Sequence, residues 1–296
     1  METKPNRAAE SKPKQIKIMG IINANSNSFY GGSRYDTAQK VVERFFDMLK
    51  EGADIIDLGA CSTRPGSTPI SERAEIEALA TPLKAIAQML EREDAPIGKW
   101  PVSISIDTFR SKVAERIYKE LEEPLANKKI ELIINDISAG EDDSDMLETV
   151  GRLNLGYIAM HKRGTPQTMQ SLTDYSDGVV NEIKRYFEEF AKRAEKAGVK
   201  EWILDPGFGF AKTVEQNYEL LGHLAELKVA GREILVGLSR KSMIYKPLNT
   251  TPDETLPQTC ALNMVAMLKG ADILRVHDVK EATQCRTLFE LLAKSK

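Results

Sequence analysis

The sequence lacks the features that mark disulfide-rich, metal-scaffolded and membrane-spanning proteins. It has only three cysteines in 296 residues, and Cys61, Cys260 and Cys285 show neither a CxxC pair nor the spacing of metal ligands. An odd number of cysteines argues against a disulfide framework and favours a reducing cytoplasm. No apolar run is long enough for a transmembrane helix, and no signal-peptide core is visible. We therefore expect a cytoplasmic protein without a membrane partner.

A strong excess of charge is also missing. The formal net charge of −3 gives no basic field for binding nucleic acid, so an anionic ligand must be held by local donors. A Ser-His-Asp order, an HExxH motif and a Walker A motif are absent as well, so covalent nucleophilic catalysis is not indicated. The 42% hydrophobic and 29% charged residues are typical of a globular protein with a large core.

Short apolar runs alternate with amphipathic stretches from Ile16 onward. Eight runs predict buried strands, at 16–22, 54–58, 102–106, 130–134, 155–160, 202–204, 233–238 and 272–276. The segments between them repeat apolar residues every three to four positions, which predicts one-faced helices, at 37–50, 72–90, 109–121, 179–197, 213–228, 256–269 and 279–294, with a weak one near 143–151. This alternation predicts an α/β fold, a (β/α)₈ TIM barrel, with an open doubly wound sheet as the alternative. The polar, lysine-rich residues 1–15 predict a disordered N-terminal arm, followed by a single domain over 16–296.

Polar residues follow every predicted strand, at the edge where the active sites of TIM barrels lie. The turn at 205–210 is the most specialised, because a carboxylate precedes a proline and two glycines. Asp107, Asn135 and Asp205 supply two carboxylates and an amide, which suit a flat heterocycle with several N–H groups. Met160 could cover the ring face or belong to the core. Two alternatives stay open: Asp205 could cap the next helix, and Asn135 could only satisfy buried backbone groups.

Positive charge collects at the same edge. The cationic candidates could hold a di-anion or stabilise a departing phosphate, and they are Arg64, Lys241, Arg275 and His277. His161 is either a ligand of the substrate or a hydrogen-bonding support, whereas His223 lies in a helical pattern and is expected at the surface. Ser239 and the pair at 107–108 could instead be helix caps.

Taken together, these residues resemble the motifs of the dihydropteroate synthase family, the pterin-binding enzymes of folate synthesis. Nine motifs occur in the order of that family between Ile16 and the C-terminus, at 18–23, 52–57, 62–66, 105–108, 134–137, 160–161, 205–210, 237–241 and 275–279. Each motif alone is only moderately specific, but nine in order make a chance match very improbable.

The resemblance implies an enzyme that joins 6-hydroxymethyl-7,8-dihydropterin diphosphate to p-aminobenzoate, releasing 7,8-dihydropteroate and pyrophosphate with the help of Mg²⁺. It implies a target of sulfonamides and a homodimer. By motif position, the residues that would hold the pterin are Asp107, Asn135, Met160, Asp205 and Lys241. Those that would frame the aminobenzoate are Thr63, Arg64, Pro65, Phe210, Ser239 and Lys241. Those that would meet the pyrophosphate are Asn23, Arg275 and His277, with Asn23 as the metal ligand. The implied catalytic residues are Asp107, Asp205, Lys241, Arg275 and His277.

The sequence departs from the family pattern in two places. After Asn23 the family usually has Val-Thr-Pro-Asp-Ser-Phe, whereas Ser26 and Asn27 stand here in place of the proline and the carboxylate. Before the motif at 62–66 the family usually has Glu, and here there is Cys61. We expect the first departure to affect loop ordering and turnover and to leave the pterin pocket intact.

Two other functions remain open. A folate-dependent methyltransferase would share the barrel and the pocket of carboxylates and amide. The segments at 62–65 and 239–241 argue against it, because they suit the second substrate of the synthase. A non-catalytic or slow pterin-binding homologue is supported only by the altered first loop.

Overall fold

The computed structural model describes residues 15–24, 38–60, 70–92, 101–165 and 167–295. Eight parallel strands form one sheet in the order β6-β5-β4-β3-β2-β1-β8-β7. Its edge strands are joined by a parallel bridge between Leu204 and Ile234, so the sheet closes on itself as a nearly complete barrel. This confirms the predicted TIM barrel and excludes the open sheet. The strands are β1 (Lys17–Asn23), β2 (Ile55–Gly59), β3 (Val102–Asp107), β4 (Ile130–Asp136), β5 (Gly156–Met160), β6 (Trp202–Asp205), β7 (Leu235–Val236) and β8 (Ile273–Val276).

Helices connect the strands, and each predicted helix is present. They are α1 (Ala38–Glu51), α2 (Glu72–Leu90), α3 (Ser111–Glu120), α4 (Glu122–Ala126), α5 (Met146–Leu153), α6 (Val179–Lys196), α7 (Val214–Gly222), α8 (Ser242–Tyr245), α9 (Leu256–Leu268) and α10 (Val279–Lys294). The helix predicted over 213–228 ends at Gly222 and continues as a 3₁₀ turn. The sequence did not predict α4 and α8, because helices this short cannot display a periodic pattern.

Two apolar layers hold the barrel together. The outer layer packs strands against helices. The inner layer fills the barrel interior with six buried side chains, Met19, Ile55, Ile133, Ile158, Leu235 and Ile273, and Ile203 packs against them. Side chains two residues apart on a strand point to the same face, so the residues two positions further along these strands form the next layer toward the carboxyl ends. That layer contains four polar side chains of the candidate site, Asp57, Asn135, Asp205 and Arg275.

Some predictions fall outside the described residues. These are the arm at 1–14, the altered first loop at 25–27, and Cys61 with the aminobenzoate contacts Thr63, Arg64 and Pro65. In the parts of the chain that the structure describes, no helix combines the length and apolar composition needed to cross a bilayer.

Candidate active site

Five strands bring predicted site residues to one level of the barrel. Asp107 and Asn135 are direct neighbours across β3 and β4, and Met160 and Asp205 are neighbours across β5 and β6. Arg275 on β8 follows the inner-layer residue Ile273 by two positions. The parallel register therefore unites side chains that are up to 168 positions apart in the sequence.

Arg275 is the centre of a buried charge network at this level. Its Nε and Nη2 donate to Oδ2 of Asp57 at 2.8 and 2.6 Å, and Nη2 also donates to Oδ2 of Asp107 at 3.1 Å. Asn135 donates from Nδ2 to the same Asp57 oxygen at 3.2 Å. The Asp57 side chain is fully buried, and a buried carboxylate needs such partners. Asp57 thus fixes the orientation of both the guanidinium and the amide.

The network shifts the ionisation of its members. Burial and the negative charge of Asp57 raise the pKa of Asp107 to about 7, although Arg275 lowers it. Burial lowers the pKa of Arg275, but the charges of Asp57 and Asp107 outweigh that effect and leave this pKa above its usual value. Asp107 therefore changes charge near neutral pH beside a permanent cation.

The turn after β6 directs the Asp205 carboxylate. Oδ1 of Asp205 accepts a hydrogen bond from the Gly207 N–H at 2.8 Å, and the His161 N–H donates to the Asp205 carbonyl at 2.9 Å. Gly207 has φ +70°, and a Cβ there would overlap the His161 carbonyl oxygen, so only glycine fits. Burial raises the pKa of Asp205, opposed by the charge of Lys241. The helix-cap alternative is wrong, because Thr213 caps α7.

Two basic loops complete the edge. Lys241 donates to the carbonyl oxygen of Phe208 at 2.6 Å, and its Nζ lies 5.3 Å from the ring centroid of Phe210. Ser239 Oγ lies 3.0 Å from His277 Nδ1. This hydroxyl does not cap a helix, because the N-cap of α8 is Lys241. The 107–108 pair does not cap one either, since the N-cap of α3 is Arg110.

Three acceptor oxygens at this level lack a hydrogen bond to any described residue: Oδ1 of Asp107, Oδ1 of Asn135 and Oδ2 of Asp205. The Nη1 group of Arg275 likewise makes no hydrogen bond to a described residue. Asn135 and Asp205 are buried as residues, yet these two unpaired oxygens remain accessible to solvent. Such an arrangement is suited to a planar ligand with several N–H donors and an adjacent anionic group.

Comparison with known proteins agrees with this geometry. The profile of the pterin binding enzyme family matches residues 19–277. The chain is 37% identical to the dihydropteroate synthase of Escherichia coli over 281 residues, which is 94% of this chain and 92% of that protein. The chain belongs to the dihydropteroate synthase family. The members of this family are transferases of folate biosynthesis, and this chain is one of them.

Solved structures of the family share the same barrel. A dihydropteroate synthase from Yersinia pestis, crystallised with a sulfonamide drug, is similar with a TM-score of 0.83 and 33% identity, over 95% of each chain. One from Burkholderia cenocepacia, complexed with 7,8-dihydropteroate, has a TM-score of 0.78 and 30% identity, over 95% of this chain and 93% of that chain.

Two buried residues were given no role from the sequence, one inside a family motif and one just after another. Asp57 lies inside an apolar strand, and a carboxylate there signals a buried cationic partner. Lys212 follows the 205–210 turn and lies buried beneath it. His161 was left between two roles, and its Nδ1 is 3.2 Å from the Lys212 ammonium, as expected of a hydrogen-bonding support. His223 is exposed at the end of α7, as predicted.

Proposed function

We propose that this chain condenses 6-hydroxymethyl-7,8-dihydropterin diphosphate with p-aminobenzoate to give 7,8-dihydropteroate and pyrophosphate. The observation that carries the proposal is the set of three open acceptors on Asp107, Asn135 and Asp205. A dihydropterin ring carries amino and ring N–H groups along its edge, and carboxylate and amide oxygens are the acceptors that such groups need. Met160, next to Asp205 in the barrel, would pack against the ring.

The proposed reaction follows from where the charges lie. The bond between the exocyclic carbon of the pterin and the diphosphate oxygen breaks, and the aminobenzoate nitrogen bonds to that carbon and then loses a proton. Carboxylates at Asp107 and Asp205 favour the positive charge that develops on the ring. The open Nη1 of Arg275, together with His277, favours the negative charge on the departing pyrophosphate. Because the aminobenzoate amine attacks in its neutral form, no enzyme nucleophile is needed.

Magnesium fits this site through the diphosphate. Among the residues that the structure describes, no group of three His, Cys, Asp or Glu side chains could enclose a metal. Mg²⁺ usually keeps several waters and takes one or two protein ligands with substrate phosphates, so a cage is not required. Asn23 ends β1 at the same edge. We assign Asn23 as the protein ligand; bound Mg²⁺ would neutralise charge on the leaving group.

The aminobenzoate side of the site is proposed from Phe210, Ser239 and Lys241. Phe210 is half-buried and its ring faces the Lys241 ammonium, which offers an apolar wall beside a cation. The Ser239 hydroxyl is engaged with His277, so its contact with the second substrate requires that this hydrogen bond rearranges. An enzyme from Xanthomonas albilineans with a TM-score of 0.79 and 28% identity was crystallised with 4-aminobenzoic acid.

A homodimer is proposed from the surface of α9 and α10. These helices pack against each other and expose large apolar side chains, whose exposed fractions are 54% for Leu268, 60% for Leu288 and 59% for Leu291. Large apolar side chains exposed on neighbouring helices are typical of a protein interface. The cytoplasmic location stays a prediction from the cysteines.

The test is a pyrophosphate-release assay with both substrates and Mg²⁺. We expect release that depends on p-aminobenzoate and is lost when either substrate is omitted. Pterin binding without release would favour the non-catalytic homologue. Methyl transfer from methyltetrahydrofolate to a corrinoid, without pyrophosphate release, would favour the methyltransferase. Glu188→Gln, at an exposed position on α6, is the matched control and should behave as the parent protein does.

A further inference from the structure

Lys212 is a buried lysine to which the reaction assigns no role. Only 4% of the residue is exposed. Its Nζ donates to the carbonyl oxygens of Gly207 at 2.9 Å and Phe210 at 3.0 Å, and lies 3.2 Å from Nδ1 of His161. An ammonium group has three N–H donors and no acceptor. The three neighbours therefore match the charged form of the lysine, one acceptor for each donor.

These contacts lead directly to the pterin pocket. The two carbonyls belong to the turn that follows Asp205, and the N–H of Gly207 is the group that donates to the Asp205 carboxylate. Lys212 is thus linked to that carboxylate through a single residue, Gly207. We propose that Lys212 is a positioning residue of the pterin pocket, whose ammonium group fixes the turn and thereby orients the Asp205 carboxylate. The proposal rests on the pterin pocket described above.

Two other side chains also hold the turn that Lys212 contacts. The same turn is already held by Lys241 at the Phe208 carbonyl and by the Tyr175 hydroxyl at the Ala211 carbonyl. Burying an ammonium costs solvation free energy, whereas an apolar side chain would leave the carbonyl oxygens of Gly207 and Phe210 without this donor. Lys212 adds a third fixation point at Gly207, the residue whose N–H donates to the Asp205 carboxylate.

The charge of Lys212 depends on pH in the neutral range. Burial lowers its pKa to about 7, whereas the charge of Asp205 raises it and those of Lys241 and Arg163 lower it. His161 faces the ammonium in its neutral form, because burial holds the pKa of this imidazole well below its usual range. Above pH 7 the amine keeps two N–H groups and gains a lone pair, so one of the three neighbours loses its donor. The hold on the turn therefore weakens as the pH rises.

The test measures binding of 6-hydroxymethyl-7,8-dihydropterin by calorimetry between pH 5.5 and 8.5. The proteins compared are the parent, Lys212→Met, Lys212→Arg and the control Lys192→Met, whose side chain is 71% exposed on α6. At pH 6 we expect Lys212→Met to bind the pterin about tenfold more weakly than the parent, as for loss of a charged hydrogen bond. This ratio should fall below about threefold at pH 8.5, where the parent has lost the same charge. Titration of Asp107 and of the pterin occurs in both proteins and cancels in the ratio.

A ratio that is the same at every pH, or close to one at pH 6, would overturn the proposal, because a structural role does not depend on the proton. If Lys212→Met does not fold, the parent is compared with Lys212→Arg, which is charged at every pH of the experiment. The pterin affinity of the parent, relative to that of Lys212→Arg, should fall by a similar factor as the pH rises. A constant ratio between these two would also overturn it. A parent protein that binds no pterin would instead refute the proposed function itself.

Discussion

Replacing Asp107 by Asn should stabilise the protein more at high pH than at low pH. The folded protein keeps the Asp107 proton until about pH 7, whereas the unfolded chain releases it near 3.8. The raised pKa of Asp107 therefore stabilises the folded parent protein. This stabilisation is fully present below pH 3.8 and is lost as the pH rises to 7. The amide of the Asp107→Asn variant is neutral at all these values and can still accept the Arg275 hydrogen bond.

The size of the effect follows from the pH interval in which the folded and unfolded states of the parent differ in the number of protons they bind. Between pH 5 and 7 the folded parent holds one more proton than the unfolded chain, and each pH unit is worth about 1.4 kcal/mol. The Asp107→Asn variant should therefore gain about 2–3 kcal/mol in free energy of unfolding relative to the parent between pH 5 and 8. This is an upper value, because 14% of the Asp107 side chain is exposed.

Urea denaturation followed by circular dichroism at pH 5, 6, 7 and 8 measures this difference. Constant effects of the substitution on packing cancel, because only the change with pH is compared. Asp47→Asn is the matched control, since that side chain is 57% exposed on α1 and lies outside the buried network. A difference between parent and Asp107→Asn that is equal at pH 5 and pH 8 would refute the reasoning about the buried network.

Three further predictions concern ligands and assembly. Asp205→Asn should bind pterin roughly 10–100-fold more weakly, as expected for a lost hydrogen bond to a charged group, with a nearly unchanged urea midpoint; unchanged affinity in calorimetry would remove Asp205 from the pocket. Equilibrium dialysis should show p-aminobenzoate binding weakly alone and tightly with pterin and pyrophosphate, because the predicted contacts at 63–65 are expected to bind it only beside a bound di-anion; equal affinity would contradict this. Leu288→Glu with Leu291→Glu should convert a dimer to a monomer in sedimentation, whereas Leu172→Glu, elsewhere on the surface, should not; a parent protein that sediments near 33 kDa would rule the dimer out.

The barrel could be predicted because its strands are buried on both faces. Such strands read as continuous apolar runs, and each ends in polar residues at the edge of the barrel. The boundaries were accurate to one residue except at β4, which continues two residues beyond the predicted 130–134 to Asp136, and at β7, where 233–238 was predicted and only Leu235–Val236 joins the sheet ladder. An apolar run shows that a segment is buried, but it does not show how many of its residues pair with a neighbouring strand.

The charge network could not be predicted from local sequence. Asp57 is surrounded by isoleucines and leucine, and its cationic partner is 218 positions away. Lys212 resembles an ordinary surface lysine, and it is buried only because the loops after β5 and β6 pack around it. The family motifs identified Asp107, Asn135 and Asp205, but the partner that fixes each side chain, and the oxygens left open, became apparent only from the three-dimensional contacts.

The three open acceptors of the site are expected to receive the N–H groups of a pterin, and the proposed function depends on this contact. A crystal structure of the protein with 6-hydroxymethyl-7,8-dihydropterin tests it most directly. It should show the ring nitrogens about 2.7–3.2 Å from Oδ1 of Asp107, Oδ1 of Asn135 and Oδ2 of Asp205. A ring bound elsewhere, or one that leaves these three oxygens without a ligand contact, would contradict the claim.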